Sequence, residues 1–313
     1  MRVLVTRALT PRVAAILRDD FAAEFRTIDA PMTLAEAQDA LANYDAVLPT
    51  LGDALRAEAF TGPIRAKLLT NFGVGVNHID VAAAKAAGLA VTNTPGAVTD
   101  ATADIAMTLL LMSARRASEG ERMLRAGTWT GWAPTQMLGA HVTGKRLGII
   151  GMGRIGQAVA RRAHFGFGMR VGYAARSPKS LDFPAQPLPL PDLLAQSDFV
   201  VLAVPATPET RHMIGAAELA LMPPHAHLIN VARGDVVDEA ALIEALQTGR
   251  IGGAGLDVYE REPIVPPALT ALQNVTLLPH LGTATEEVRD AMGLMAVENL
   301  RAFRDGTPLP NPV

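Results

Sequence analysis

The sequence predicts an α/β protein made of two doubly wound parallel-sheet units. Three observations carry this expectation. Short apolar runs alternate with helical patterns from Arg2 to Thr92, and again from Arg146 to Leu278. Such alternation marks parallel sheets covered on both faces. An apolar run, Leu147 to Ile150, leads into Gly151, Gly153 and Gly156 in the spacing G-x-G-x-x-G, with a helical stretch behind it. The chain has 313 residues, 49% of them hydrophobic and 19% charged, which suffices for two domains with cores of their own.

Composition excludes several functions. A formal net charge of −3 offers no basic face for nucleic acid or a membrane surface. With no cysteine there is no disulfide, thiolate nucleophile or cysteine-type zinc site. No H-E-x-x-H or other metal-ligand spacing is present, so no metal is expected, and no G-x-S-x-G elbow occurs. Met1-Arg2-Val3-Leu4-Val5-Thr6 enters a strand directly, without the pattern of a signal peptide. The apolar run Ile105 to Ala114 is too short to span a bilayer. A soluble cytoplasmic protein is expected.

The elements follow in order. Arg2–Thr6 is a strand, and Thr10-Pro11 opens a helix to about Arg18, proline being suited to the first helical position. Thr33 with Glu36 fits a capping box for a helix to Ala42. Ala46–Pro49 and Lys67–Asn71 are strands; the second exits into Phe72-Gly73-Val74-Gly75. Ile79–Ala87 is helical and stops at Gly88, a left-handed cap, before a strand at Leu89–Thr92. Ala101 to Arg116 is a helix apolar almost all round, expected to be buried where two domains meet. A helix near Ser118–Ala126 ends at Gly127, and Thr128–Gly144, with both tryptophans, is a long loop; loops of that length are usually functional. After the glycine turn come a helix over Ile155–Phe167 and a strand at Met169–Ala174, then a proline-rich stretch. Strands are expected at Phe199–Ala203, His227–Val231, Gly253–Asp257 and Val275–Leu278, and helices at Asp238–Thr248 and Glu286–Arg304.

The glycine spacing is what dinucleotide binding requires. The first glycine makes the turn, the second admits the pyrophosphate, and the third lets helix and strand close. About 20 residues further on, an acid normally accepts the ribose hydroxyls of NAD. Here that position is Ala175, followed by Arg176, Ser177, Pro178 and Lys179. Arg176 can grip a 2′-phosphate with its guanidinium fork, Ser177 can donate to it, and Lys179 adds positive potential. NADPH is therefore the expected cofactor, with NADH possible.

Arg233, Glu262 and His280 each follow a strand of the second half, and ligands bind outside the carboxyl ends of such strands. Reducing a 2-keto acid needs a cation for the carboxylate, positive charge at the developing alkoxide and a proton donor. Arginine suits the first two roles. Imidazolium suits the third, and a carboxylate beside it favours the protonated form. Taken singly, a salt-bridged arginine turn, a solvated Glu260-Arg261-Glu262 run and a structural histidine are ordinary surface features. His78, His141, His164, His212, His225 and His227 lack such placement and read as structural.

Several blocks resemble the D-isomer-specific 2-hydroxyacid dehydrogenases over nearly the whole chain: residues 71–80, 91–96 and 99–104, the glycine loop, Asn230-Val231-Ala232-Arg233-Gly234, residues 255–263 and 278–285. The resemblance implies two Rossmann-like domains, with a dinucleotide domain, 99–284, inserted into a substrate domain formed by 1–98 and 285–313. It implies that Arg233 binds substrate, that His280 is the acid/base and that Glu262 orients it. Amides of Val74 and Gly75 would hold the substrate carboxylate, with Leu51 nearby. Arg154 and Ile155 would meet the pyrophosphate and Asp257 the nicotinamide amide; Val204, Pro205, Thr210, Val231 and Gly282 would complete the cofactor site. A homodimer through Thr99–Arg125 is also implied.

Within the family the chain looks most like the glyoxylate/hydroxypyruvate reductase and 2-ketogluconate reductase branch. The Ala175-Arg176-Ser177 turn suits NADPH, and the Trp129–Gly139 stretch is similar to a loop whose second tryptophan, here Trp132, reaches the partner's active site. Ala203 departs from the histidine or cysteine that many relatives carry before the proline. The sequence leaves two other readings open. One is an NAD-dependent dehydrogenase of a larger sugar acid or phosphorylated acid. The other is a nucleotide-sensing binding protein of the same fold.

Overall fold

Runs such as Val3-Leu4-Val5 and Phe199-Val200-Val201-Leu202 are apolar at successive positions, so they form strands only where both faces are covered. The computed structural model describes residues 1–313. Its elements in the first third are β1 (Val3–Val5), α1 (Pro11–Phe21), β2 (Glu24–Phe25), α2 (Leu34–Asn43), β3 (Ala46–Leu48), β4 (Leu68–Thr70), α3 (Val81–Ala86) and β5 (Ala90–Thr92). Then come α4 (Thr99–Ala114), α5 (Ala117–Arg125), β6 (Arg146–Ile150), α6 (Arg154–Arg161), β7 (Arg170–Ala174), β8 (Ala185–Pro187), α7 (Leu190–Gln196) and β9 (Phe199–Leu202). The remainder is α8 (Ala216–Leu221), β10 (His227–Asn230), α9 (Glu239–Gln247), β11 (Gly253–Leu256), α10 (Pro267–Thr270), β12 (Val275–Leu277) and α11 (Glu286–Arg304).

The chain divides into two units, Met1–Val98 with Thr283–Val313, and Thr99–Gly282. The first holds a five-stranded sheet in the order β2-β1-β3-β4-β5, all parallel. Its order reverses between β1 and β3, the place where open α/β sheets form a crevice. Here that crevice is closed by a buried carboxylate. Asp53 accepts from Thr6 Oγ1 (2.7 Å), Thr50 N (2.7 Å) and Met32 N (2.7 Å), which fixes the turn that carries Leu51.

The second unit holds a seven-stranded sheet, β12-β11-β10-β9-β6-β7-β8, also all parallel. Its reversal lies between β6 and β9, and the glycine turn leaves β6 at this point. The all-round apolarity of α4 has a cause within its own unit. Ala103, Ala106, Leu109 and Leu110 are buried in one cluster with Leu147, Ile149, Val201 and Ile229 of the same unit. Ser113 of α4 also bonds His227 Nδ1 at 2.7 Å, and the imidazole stacks on Phe199. Burial pushes the His227 pKa down to about 4, so the ring is a neutral structural group, as its position in the sequence suggests.

Stereochemical signals in the sequence set the local structure. Thr33 and Glu36 form the capping box of α2, and Gly88 and Gly127 adopt left-handed φ values of +82° and +66°. Two edge strands, β2 and β8, and the helix α7 went unread. The helix expected over Ile155–Phe167 is present, opening at Arg154, and winds as a π-helical turn over Arg162–Gly166.

Candidate active site

The glycine cradle assigns each glycine a separate task. Gly151 has φ +96°, and a Cβ there would lie 2.6 Å from the Ala203 oxygen and 2.8 Å from Val204 Cγ1. Gly156 is packed so tightly that a Cβ would lie 2.1 Å from the Gly151 oxygen. Gly153, at the N-cap of α6, has nothing within 4 Å of its would-be Cβ. Open space therefore lies beside the first turn of α6, which begins with Arg154 and Ile155 and offers unpaired amides and a positive dipole end to an anion. This arrangement fits a dinucleotide pyrophosphate. Thr210 closes the neighbouring loop by donating from Oγ1 to the Pro205 oxygen at 2.7 Å. Val231 is buried directly after β10.

At the end of β7, Ala175 stands where an acid would select NAD. Arg176, Ser177 and Lys179 are all exposed. Lys179 Nζ donates to Ser177 Oγ at 3.0 Å, and Lys179 N donates to Tyr173 Oη at 2.9 Å. The turn is therefore ordered and presents basic groups to solvent.

The three ionisable residues lie after β10, β11 and β12. Arg233 has extended backbone ahead of the short 3-10 turn Gly234–Val236. Its carbonyl accepts from Asn230 Nδ2 at 2.9 Å, and its Nη1 donates to the Ala232 oxygen at 2.7 Å. Burial lowers its pKa, opposed by the carboxylates of Glu262 and Asp235; a guanidinium stays charged regardless. Glu262 Oε2 meets His280 Nδ1 at 2.7 Å, with the two side chains 28% and 29% exposed. Glu262 Oε1 accepts from Tyr259 N at 3.0 Å. Burial pushes the Glu262 carboxyl up, but the His280 hydrogen bond, the charge of the imidazolium form and the Tyr259 amide outweigh it and leave the pKa below the ordinary value. The carboxylate therefore engages Nδ1 and not Nε2.

His280 has φ +55°, a left-handed conformation that costs a non-glycine residue roughly 1–2 kcal/mol. Asp257 holds it there. The Asp257 backbone oxygen accepts from His280 N at 2.9 Å. Its carboxylate takes Leu281 N at 2.6 Å and Gly282 N at 2.8 Å. Three successive amides of the histidine loop thus end on one aspartate. Burial raises the Asp257 pKa, and the two amide bonds oppose that shift. Each carboxylate oxygen keeps a further lone pair, which leaves an acceptor for the amide group expected there.

In the first unit, Val74 is exposed and Gly75 partly so, in the loop after β4, and Leu51 is partly exposed in the turn after β3. Trp132 is 80% exposed. Sequence reading missed Asn71, Asp53 and Arg289. Arg289 lies in α11, donates from Nε to the Thr283 oxygen at 3.0 Å, and sits 6.0 Å from the Phe72 ring centre. A buried polar residue within an apolar run was the only available signal for the first two. No cluster of acidic, histidine or cysteine residues could hold a metal ion, and no helix is long and apolar enough to cross a membrane.

Residues 107–282 match the family profile described as the NAD binding domain of D-isomer specific 2-hydroxyacid dehydrogenase. The chain belongs to the D-isomer-specific 2-hydroxyacid dehydrogenase family. It is 46% identical to a glyoxylate reductase of Thermococcus gammatolerans, covering all of this chain and 95% of that protein. It is 45% identical to the glyoxylate reductase of Thermococcus kodakarensis, with 100% and 96% covered. Among solved structures it is similar to an NADPH-dependent glyoxylate/hydroxypyruvate reductase from Sinorhizobium meliloti in complex with NADP and malonate. That match has a TM-score of 0.89 and 36% identity, and covers 100% of this chain and 96% of the other. As a 2-hydroxyacid dehydrogenase the chain is an oxidoreductase that uses a nicotinamide cofactor, and the glycine cradle of its second unit fits that cofactor.

Proposed function

We propose that the protein reduces small 2-keto acids of the glyoxylate and hydroxypyruvate type to D-2-hydroxy acids with NADPH. The observation that carries this is the 2.7 Å His280–Glu262 pair, held in the same unit as the glycine cradle and Arg233. Support for the substrate class comes from the glyoxylate reductases named above and from the small dicarboxylate, malonate, bound by the Sinorhizobium meliloti relative.

Each residue has a defined task. The amides of Val74 and Gly75 bind the substrate carboxylate, and Leu51 limits the space beside it. Arg233 pairs with the carboxylate and polarises the keto oxygen, where negative charge grows during reduction. The cofactor, when bound, supplies hydride to the keto carbon. His280, protonated, gives its Nε2 proton to the keto oxygen, and Glu262 fixes the ring and favours the charged form. Asp257 keeps the histidine loop in place and offers an acceptor to the nicotinamide amide. Arg176, Ser177 and Lys179 select the 2′-phosphate. A homodimer belongs to this reading, because Leu124, Trp129, Trp132 and Leu138, close together in sequence, are each at least half exposed and an apolar surface of this kind suits a second copy.

The test is parallel oxidation of NADPH and NADH over glyoxylate, hydroxypyruvate, pyruvate, phenylpyruvate and 2-ketogluconate, with wild type and Arg176→Ala. Wild type is expected to turn over glyoxylate and hydroxypyruvate faster with NADPH. The variant should raise the KM for NADPH about 10- to 100-fold, the effect of one charge-assisted hydrogen bond, and leave NADH almost unchanged. Equal effects on both cofactors would remove Arg176 from phosphate recognition. Tight NADPH binding with no turnover of any acid would overturn the reductase reading.

Glu262 holds the imidazole through Nδ1 at 2.7 Å, and its own pKa lies below the ordinary carboxylate value, so it is an ionised acceptor near neutral pH. Glu262→Gln should lower kcat for glyoxylate about 10- to 100-fold while NADPH affinity stays within about twofold. An unchanged kcat would remove Glu262 from the placement of the proton donor.

A further inference from the structure

In the loop after β4 the carbonyls of Gly73, Val74 and Gly75 are taken while the amides of Val74, Gly75 and Val76 are open. Asn71 is fully buried at the end of β4. Its Nδ2 donates to the carbonyl oxygens of Gly73 at 3.0 Å and Gly75 at 3.1 Å. Asn93, just after β5, donates from Nδ2 to the Val74 oxygen at 2.8 Å, and Thr94 N reaches the Gly73 oxygen at 3.2 Å. Three successive carbonyls are therefore each held by a donor of the protein. In a trans peptide the N–H points opposite to the C=O of the same plane. Holding the carbonyls of Gly73, Val74 and Gly75 thus turns the N–H groups of Val74, Gly75 and Val76 the other way. None of those three amides donates to a backbone or side-chain acceptor of the protein. A run of open amides is an anion-binding concavity.

We propose that Asn71 is a positioning residue for carboxylate recognition. By pinning the Gly73 and Gly75 carbonyls, it aims the Val74 and Val76 amides at the substrate carboxylate, as Asn93 does for Gly75. This rests on the keto-acid reductase reading given above. The ordinary alternative is an asparagine that merely ties a turn. The two differ in what a loss of Asn71 affects. A turn tie would lower stability and impair every step, whereas a positioning residue acts on anion affinity.

The test compares wild type, Asn71→Asp and Asn71→Ser in glyoxylate kinetics, inhibition by oxamate, NADPH affinity by fluorescence, and Tm. Asn71→Asp keeps the size of the side chain but loses both donated bonds. In each variant, KM for glyoxylate and Ki for oxamate should rise together by about 10- to 100-fold, the scale of two lost hydrogen bonds at a charged ligand. NADPH affinity should hold within about twofold and kcat within about fivefold, small shifts by comparison. KM and Ki unchanged within about twofold would overturn the assignment, as would kcat and NADPH affinity falling along with Tm. If neither variant folds, amide NMR of the wild-type protein decides. Oxamate should shift the Val74, Gly75 and Val76 amides and the Asn71 side-chain NH₂, and their silence would overturn the proposal. Wild type that neither reduces glyoxylate nor binds oxamate would instead refute the reductase reading.

Discussion

His280→Gln is expected to lower kcat for glyoxylate reduction by about 10²- to 10⁴-fold, the contribution of a positioned general acid, while NADPH affinity stays within a few-fold. Glutamine can still donate a hydrogen bond to the keto oxygen, but it cannot release a proton there. The alkoxide formed as hydride arrives must then be protonated by water. Glu262 also loses its 2.7 Å partner, yet it keeps the Tyr259 amide at 3.0 Å and is partly solvated, so the fold should survive. Steady-state kinetics paired with NADPH titration checks this. Full activity in the variant would show that another group delivers the proton.

Arg233→Ala should damage affinity and turnover together, lowering kcat/KM about 10³-fold, or some 4 kcal/mol of transition-state stabilisation. On the proposed reading its guanidinium acts twice, at the carboxylate before reaction and at the oxygen during it. Lysine restores charge but not the planar fork, so Arg233→Lys should recover only part of the loss. The backbone around it is secured independently, since Asn230 Nδ2 holds the Arg233 carbonyl and Asn230 Oδ1 holds the Ala232 amide at 3.0 Å. A fall of less than about tenfold in kcat/KM would mean that substrate charge is met elsewhere.

The two sheets and the glycine turn could be read from the sequence because burial on both faces and φ > 0 turns leave marks in residue type. The edge strands could not. β2 is only Glu24-Phe25 and β8 only Ala-Gln-Pro; neither has strand-forming composition, and each exists because β1 or β7 offers it an unpaired edge. The helix α7 was hidden because Pro189 and Pro191 read as breakers, whereas prolines are well placed at a helix start. The pairing of Glu262 with His280 was inferable from chemistry. How Asp257 and Asn71 grip backbone amides and carbonyls was not, since an aspartate or asparagine at a strand end looks the same whether it meets a ligand or the chain itself.

The glycine turn also bears on how such a chain could diverge. Gly151 and Gly156 are held by the fold, because a methyl group at either would strike backbone. Gly153 is not, because a methyl group there would meet nothing of the protein. A change at Gly151 or Gly156 therefore threatens the fold itself. Nothing in the fold opposes a change at Gly153, which on the proposed reading is kept to admit the pyrophosphate. A gene copy relieved of its enzymatic duty could therefore change this glycine and still fold. The residue at 153 thus serves as a marker that separates working descendants of this chain from well-folded, silent ones.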